Sequence, residues 1–479
     1  MNLIVNPPGM TQEGYAAPPL GLLYLATMTD TVIFDAAIEK ESVDSVLRRF
    51  KPRVVGVPIY TPFRHDSLKV LKMAKEYGAV TVAGGPHVSI MHKQLAANYD
   101  FIDHLVIGDG EFAWKQVCEK GLPSRVARFP VEDINSLPVP DWNLIKIENY
   151  PSRGSGIYRG VKLDSVPRGS MLLGRGCDGN CTFCSTWWVN GKYRFHTKDW
   201  LARHIDGQWQ RGIRHLNFQD DCLTANRDAT LWLCQVLSRY GFAWRGTTRV
   251  DCVDEELVRE MFASGCYNLT FGIESGSPEM LKKINKNTDL AAAFKAREVC
   301  QKVGMKFTAL MMQGLPGETD KTRCQDREFL EKLQPDDWGT LGYTMILPGT
   351  ALYTEMKRRS LIDDDFWLGE EQFFVHEEEI PIGKGLQILA QGPQSIKRCE
   401  TPVEGYNIWF KASYYSKFIK VIFNNVELPT FVGSVEGNDC ITATIPVDLL
   451  ANSLKGLVEL RLHHKYRGTI SGPVYIEVQ

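Results

Sequence analysis

Short apolar runs rich in β-branched residues alternate with amphipathic stretches over the first 130 residues. Asn2–Val5, Thr31–Phe34, Arg53–Pro58, Ala79–Ala83 and Phe101–Ile107 predict buried strands, and segments near 19–28, 41–50, 64–77, 89–98 and 110–119 predict helices. That rhythm predicts a doubly wound, Rossmann-like parallel sheet with helices on both faces. In such sheets ligands bind beyond the carboxyl ends of the strands, where strand order reverses. Those ends carry Asn6-Pro7-Pro8-Gly9, Pro58-Ile59-Tyr60-Thr61, Gly84-Gly85-Pro86-His87 and Gly108-Asp109-Gly110-Glu111. Glycine there lets backbone approach a ligand closely, although tight strand-to-helix turns use the same residues.

The periodicity fades over 131–165, where Phe129-Pro130, Leu137-Pro138-Val139-Pro140 and Tyr150-Pro151 predict a linker lying over the surface. A second β/α series fills 166–358. Its strands are Ser170–Gly174, Ile213–Gln219, Ala243–Thr248, Tyr267–Phe271, Lys306–Met312 and Gly339–Ile346. Six such units predict a partial (β/α)6 TIM-like barrel with its active site on the loops after the strands. Residues 359–384, with the acidic run Glu377-Glu378-Glu379, read as an exposed connector. From 385 to 479 the runs Tyr406–Lys411, Phe418–Asn424, Ile441–Ile445, Leu457–His463 and Pro473–Val478 predict a C-terminal all-β sandwich.

Composition narrows the class. Apolar residues at 44% and charged residues at 23% are ordinary for a soluble globular chain. A formal charge of −2 gives no reason to expect DNA or RNA. No apolar run reaches the roughly 20 residues of a membrane helix, and the start Met1–Pro8 lacks the pattern of a signal peptide. The expectation is a cytoplasmic protein.

Twelve cysteines in such a compartment point to metal or redox use rather than disulfides. The first 117 residues contain none, whereas Cys177, Cys181 and Cys184 fall within eight residues. They lie in Gly174-Arg175-Gly176-Cys177-Asp178-Gly179-Asn180-Cys181-Thr182-Phe183-Cys184, directly after the first barrel strand. Thiolates suit iron–sulfur clusters or zinc. A structural zinc site closes with four ligands, and no histidine or further cysteine stands at short spacing to complete one. Three cysteines on one loop instead leave one iron of a 4Fe–4S cubane open to chelate a substrate.

The C-x3-C-x2-C spacing, with Phe183 before the last cysteine, resembles the signature of the radical S-adenosylmethionine (SAM) superfamily. The resemblance extends along roughly 165–358, through Asn217-Phe218-Gln219-Asp220-Asp221, Thr248-Arg249-Val250-Asp251, Gly272-Ile273-Glu274-Ser275-Gly276-Ser277, Gln313-Gly314-Leu315-Pro316-Gly317-Glu318-Thr319 and Pro348-Gly349-Thr350. It implies that Cys177, Cys181 and Cys184 hold the cluster and that Phe183, Asp220, Arg249, Gly272, Glu274, Ser275, Gln313 and Gly314 form the SAM site. Chemistry agrees with those types. A glycine-rich turn exposes backbone groups to the amino-acid moiety, and Arg249 offers a planar fork to its carboxylate. Asp220 and Glu274 offer acceptors to the ribose hydroxyls or the ammonium. Asp251 reads as a helix cap.

The N-terminal domain is similar to the cobalamin-binding domains of class B radical methyltransferases, on Pro18-Pro19-Leu20-Gly21-Leu22-Leu23-Tyr24-Leu25-Ala26, Gly84–Ser89 and Gly108–Glu111. The resemblance implies cobalamin at Pro8, Tyr60, Thr61, Gly84, Gly85, His87, Gly108 and Glu111. The Asp-x-His-x-x-Gly motif that supplies an axial histidine in many cobalamin proteins is absent, as it commonly is in class B. The absence of cysteine before 118 argues against a methylthiotransferase, which carries a second cluster there.

The reading is therefore a cobalamin-dependent methyltransferase acting on an unactivated carbon, with no catalytic residue assigned. Alternatives are a non-methylating radical enzyme (ring closure, rearrangement or oxidation) and a non-catalytic protein working through its β domain. The resemblance implies a low-potential electron donor such as flavodoxin or ferredoxin. The sequence does not name the substrate; a small molecule or a saccharide is the candidate, the latter because the β domain resembles modules of carbohydrate-active proteins. Tyr406, Trp409, Tyr414 and Tyr415 would stack on a sugar or fill its core. Trp187 and Trp188 would pack over the cofactor or in a domain seam.

Overall fold

Asn2–Asn6 is buried at all five positions, as a strand covered by helices on both faces requires. In the computed structural model it is the second strand of a six-stranded parallel sheet. The described residues are 1–8, 17–150 and 156–369, followed by 388–392, 395–396, 406–412, 419–423, 426–435, 438–446, 449, 456–464, 471 and 474–478. Gly9, the acidic run 377–379, Cys399, Tyr414, Tyr415 and the expected boundary at 384/385 lie outside them.

The N-terminal sheet comprises β1 (Asn2–Asn6), β2 (Thr31–Asp35), β3 (Val54–Pro58), β4 (Val80–Gly84), β5 (His104–Ile107) and β6 (Val126–Arg128), in the order β2-β1-β3-β4-β5-β6. Helices α1 (Leu20–Thr27), α2 (Val43–Phe50), α3 (Arg64–Glu76), α4 (Pro86–Asn98) and α5 (Glu111–Glu119) connect the strands. Order reverses between β1 and β3, the switch point at which this fold places ligands. Gly56 in β3 is needed for packing: a Cβ there would lie 2.6 Å from the Trp114 ring of α5.

Beyond a two-residue hairpin of β7 (Ile157–Tyr158) and β8 (Val161–Lys162), the barrel begins. Its strands are β9 (Arg168–Met171), β12 (His215–Phe218), β13 (Ala243–Thr248), β14 (Cys266–Glu274), β15 (Lys306–Gln313) and β16 (Asp337–Tyr343). They are all parallel and adjacent in chain order. Between β9 and β12 stand the short strands β10 (Gly174–Arg175) and β11 (Arg194–Phe195), with α6 (Thr186–Asn190) in the loop they enclose. Helices α7 (Lys198–Gln210), α8 (Arg227–Leu237), α9 (Glu255–Ala263), α10 (Pro278–Lys283), α11 (Leu290–Val303) and α12 (Asp320–Leu333) complete the layer. Thr197, Asn226, Asp254, Asp289 and Thr319 cap five of them through their side chains. The cap of α9 is thus Asp254 and not Asp251, which pairs with Arg249 instead.

The linker does not lie over the surface as expected. Val131, Ile134, Leu137, Trp142, Ile145, Ile147 and Tyr150 are buried in the same core as α1 and the barrel. Its prolines prevent regular structure but not burial, because short 3-10 turns capped by Asp133 and Asp141 satisfy the backbone. Trp200 Nε1 donates to Leu137 O at 2.9 Å, and Tyr150 Oη donates to Asp35 at 2.7 Å. The Rossmann-like sheet, linker and barrel form one compact unit, Met1–Thr354, and Glu355–Gln479 forms another.

Considered by itself, the second unit contains β17 (Ile388–Gly392), β18 (Ser395–Ile396), β19 (Tyr406–Ala412), β20 (Ile419–Phe423), β21 (Val426–Leu428), β22 (Thr430–Val435), β23 (Asn438–Ile445), β24 (Gly456–His464) and β25 (Val474–Val478). They form sheets ordered β17-β19-β23-β22 and β18-β25-β24-β20-β21, antiparallel except for β18 with β25. Both contribute to one core, including Phe410, Val421, Ile441 and Leu462. Tyr406 packs against it, and Trp409 faces outward.

Candidate functional site

The cysteine loop is the head of the hairpin that β10 and β11 close through Gly174↔Phe195 and Arg175↔Arg194. Gly176 has φ +102° and a Cβ there would overlap the Lys192 carbonyl, so only glycine fits. Cys177 N donates to Gly191 O at 3.2 Å and Cys184 N to Cys181 O at 3.1 Å, folding the loop on itself. All three thiols are free, Cys184 being exposed and the others half-buried. Gly179 N donates to Cys177 Sγ at 3.3 Å and Thr186 N to Cys184 Sγ at 3.5 Å. Such bonds stabilise a ligating thiolate against burial, which pushes the Cys177 and Cys181 pKa values up. Among the described residues no three His, Cys, Asp or Glu side chains converge on one metal-ion position. Three thiolates on one loop are the soft donor set that an iron–sulfur cluster takes.

Beside the loop lies a cavity of about 520 Å³, within the usual range for ligand sites. One wall is the carboxyl edge of the N-terminal sheet, with Tyr60, Gly84, Gly85, Gly108 and Glu111 among its residues. The other comes from the barrel, including Gly174, Arg175, Ser185, Thr186, Gln219 and Asp221. Five of the eight residues expected at cobalamin therefore share this wall. Thr61 and His87 stand behind it, both buried, sharing a hydrogen bond at 3.0 Å between Oγ1 and Nδ1. Burial and the nearby Arg64 push the His87 pKa down to about 3. Pro8 is exposed outside the lining.

Opposite charges lock the two walls together. Arg175 donates to Asp109 Oδ1 at 3.1 Å and to Glu111 Oε1 at 2.7 Å, with its guanidinium 4.7 Å from the centre of the Tyr24 ring. Arg194 donates to Asp109 Oδ2 at 2.8 Å and to the Val131 carbonyl. Burial opposes ionisation of Asp109, but Arg194 and Arg175 outweigh it and hold its pKa low. The Asp109-Gly110-Glu111 turn after β5 thus grips both strands of the hairpin that carries the cysteines. Glu111, expected at cobalamin, spends one oxygen on this clamp.

The remaining expected SAM residues ring the barrel rim. Asp220 is buried and accepts from Leu173 N at 3.0 Å and Gly174 N at 2.8 Å, tying the end of β12 to the cysteine hairpin. Burial pushes its pKa up to about 7 despite those bonds. Arg249 grips Asp251 through two nitrogens, at 2.9 and 2.6 Å. Gly272 and Glu274 flank a β-bulge, and Glu274 pairs with Lys286 at 3.0 Å. Ser275 Oγ donates to Asp326 at 2.6 Å. The Gln313 carbonyl accepts from Thr344, and Gly314 N donates to Glu318 at 2.8 Å. Phe183 packs against Met280, Leu281, Ile284 and Leu315. Trp187 and Trp188 belong to no seam core: they are 50% and 65% exposed on α6. The sequence reading missed Asp109, Arg175, Arg194, Lys286 and Asp326. The opposite charges in Gly108–Glu111 and Gly174–Gly176 were the available signal for the clamp.

A parallel switch-point sheet facing a cysteine-bearing partial barrel is the layout that the sequence resemblance implies, a radical enzyme with a second cofactor domain. Family models agree: one described as the radical SAM superfamily matches residues 171–330, and one described as a B12 binding domain matches 10–117. The chain is 27% identical over 372 residues to an uncharacterized methyltransferase of Pyrococcus horikoshii, covering 71% of this chain and 78% of that one. It is 26% identical over 379 residues to the anaerobic magnesium-protoporphyrin IX monomethyl ester cyclase of Rubrivivax gelatinosus, covering 71% of this chain and 66% of the relative. The solved radical SAM methyltransferase TsrM of Kitasatospora setae shares its fold, with TM-score 0.61, 16% identity and coverage of 75% and 76%. The chain thus carries a radical SAM domain and a B12-binding domain, and this pairing implies a 4Fe–4S cluster, SAM and cobalamin as cofactors.

Proposed function

We propose that this enzyme methylates an unactivated carbon of a small molecule, with the cluster on Cys177, Cys181 and Cys184 and the corrin in the adjoining cavity. The carrying observation is that this cavity has the B12-binding sheet edge as one wall and residues flanking the cysteine loop as the other. When bound, the cluster supplies the electron that splits SAM, and cobalamin carries the methyl group. The chain's own residues orient these groups and exclude water. Tyr60, Gly84, Gly85 and Gly108 present backbone and ring surface to the corrin, and Thr61 and His87 support that edge from behind. Phe183, Arg249, Gly272, Glu274, Ser275, Gln313 and Gly314 surround SAM, while Asp220 fixes the hairpin. The exposed Cys184 side leaves the cluster within reach of a low-potential donor of flavodoxin or ferredoxin type. Among the described residues no helix is long and apolar enough to cross a membrane, which supports a cytoplasmic setting.

The likeness to the cyclase favours a second reading, ring closure without methyl transfer. Methyl-deuterated SAM supplied to the reduced, cobalamin-loaded enzyme in a lysate of the source cell separates the two. A small-molecule product three mass units heavier than its unlabelled form is expected. Deoxyadenosine formation without any labelled product would favour the second reading, and loss of neither on changing all three cysteines to alanine would overturn both.

A further inference from the structure

Between α10 and α11 the segment Ile284-Asn285-Lys286-Asn287 straps across the cysteine loop. Thr182 N donates to Ile284 O at 2.9 Å, Asn285 Nδ2 donates to Asn180 O at 2.8 Å, and Arg249 Nη2 donates to Asn287 O at 3.2 Å. The residues on either side of Cys181 are thereby fixed to the two that precede Lys286, and Asn287, which follows it, is fixed to Arg249. The Lys286 side chain is 7% exposed and lies 3.0 Å from Glu274 Oε1, itself 13% exposed. The local backbone is shaped around this pair. Glu274 adopts φ +71° at the bulge, and a Cβ on Gly272 would lie 2.6 Å from Glu274 Oε1 and 3.1 Å from Lys286 Nζ. A buried ion pair gives little net stability compared with an apolar pair of similar size. An unusual backbone that admits one beside a cluster ligand therefore points to electrostatics rather than packing.

We propose that the Glu274–Lys286 pair sets the potential of the cluster, with Lys286 as a positioning residue whose charge favours the reduced state. This rests on the assignment of the cluster to Cys177, Cys181 and Cys184. Reduction adds negative charge, and a nearby cation in a poorly solvated site lowers its energy, while a nearby carboxylate does the opposite.

The test is spectroelectrochemical titration of the anaerobically reconstituted full-length protein without SAM. Lys286→Met should make the cluster potential more negative and Glu274→Gln more positive. The double variant should return near wild type, and Lys286→Arg should stay there. Damage to packing would not give opposite signs. If Lys286→Met fails to assemble a cluster, the upward shift in Glu274→Gln and the retention of wild-type potential in Lys286→Arg still decide the matter. Shifts of the same sign, or none, would overturn the proposal alone. A wild-type chain that assembles no cluster would overturn it together with the reading beneath it.

Discussion

His87 lies behind the cavity wall as a neutral imidazole, because burial holds its pKa near 3. Burial likewise depresses His204 and His215 to about 3 and His196 to about 2. Each is depressed in the folded state, so its contribution is fully present above the unfolded value of about 6.5 and is lost as pH falls toward the folded one. Between the two values each costs about 1.4 kcal/mol of stability per pH unit. His87→Gln should flatten the fall in urea-unfolding free energy between pH 6.5 and 5 by about that slope; an unchanged slope would show that His87 is protonated when folded. The cysteine loop was legible as a motif because its three cysteines are local in sequence. The Asp109–Arg175 contact was not, since the two are 66 residues apart and meet only after the Rossmann-like sheet and barrel pack. His87 itself was legible as a type but not as a place: only the fold shows its ring turned toward Thr61.

At the scale of elements, the hairpin of β10 and β11 carries the three clustered cysteines, and the turn after β5 holds it. Removing the Arg175 cation leaves Glu111 buried without that partner, since Arg194 is engaged by Asp109 and the Val131 and Asn190 carbonyls. Breaking such a pair costs about 3 kcal/mol or more. Arg175→Met should therefore lower unfolding free energy by about that amount and speed amide exchange across residues 174–195. Unchanged exchange there would mean the cysteine hairpin is held by its own bonds. The β/α alternation made the parallel strands legible, most clearly where β-branched apolar residues dominate, as in β1, β3 and β4. Strands β21 and β22 escaped notice since Pro429 stands between them and reads as an interruption. Three-residue β6 is too short to show a period. Helix α4 starts at Pro86, earlier than expected, because proline is well suited to a first helical turn.

At the scale of the molecule, the cysteine loop and both cavity walls belong to the unit Met1–Thr354. A chain ending at residue 369 should assemble the cluster and form deoxyadenosine from SAM as the full chain does, even if turnover of the substrate falls. Loss of iron and sulfide on truncation would show that the C-terminal unit completes the barrel. That one cavity unites the two cofactors is the proposal corrin retention tests most directly. The wild-type protein is incubated with hydroxocobalamin, desalted, and read by its corrin absorbance, alongside Gly84→Leu and Gly85→Leu. A Cβ at Gly84 meets only Val106, at 3.9 Å, so leucine there should fill the cavity without disturbing the fold. Gly85 has φ +95° and a Cβ 3.1 Å from the Ile59 carbonyl oxygen, so leucine there should also lower the melting temperature. The expected result is stoichiometric corrin on the wild type and its loss from Gly84→Leu at unchanged melting temperature. A wild-type protein that stays colourless apart from its cluster, or a Gly84→Leu variant that retains the corrin, would contradict the account.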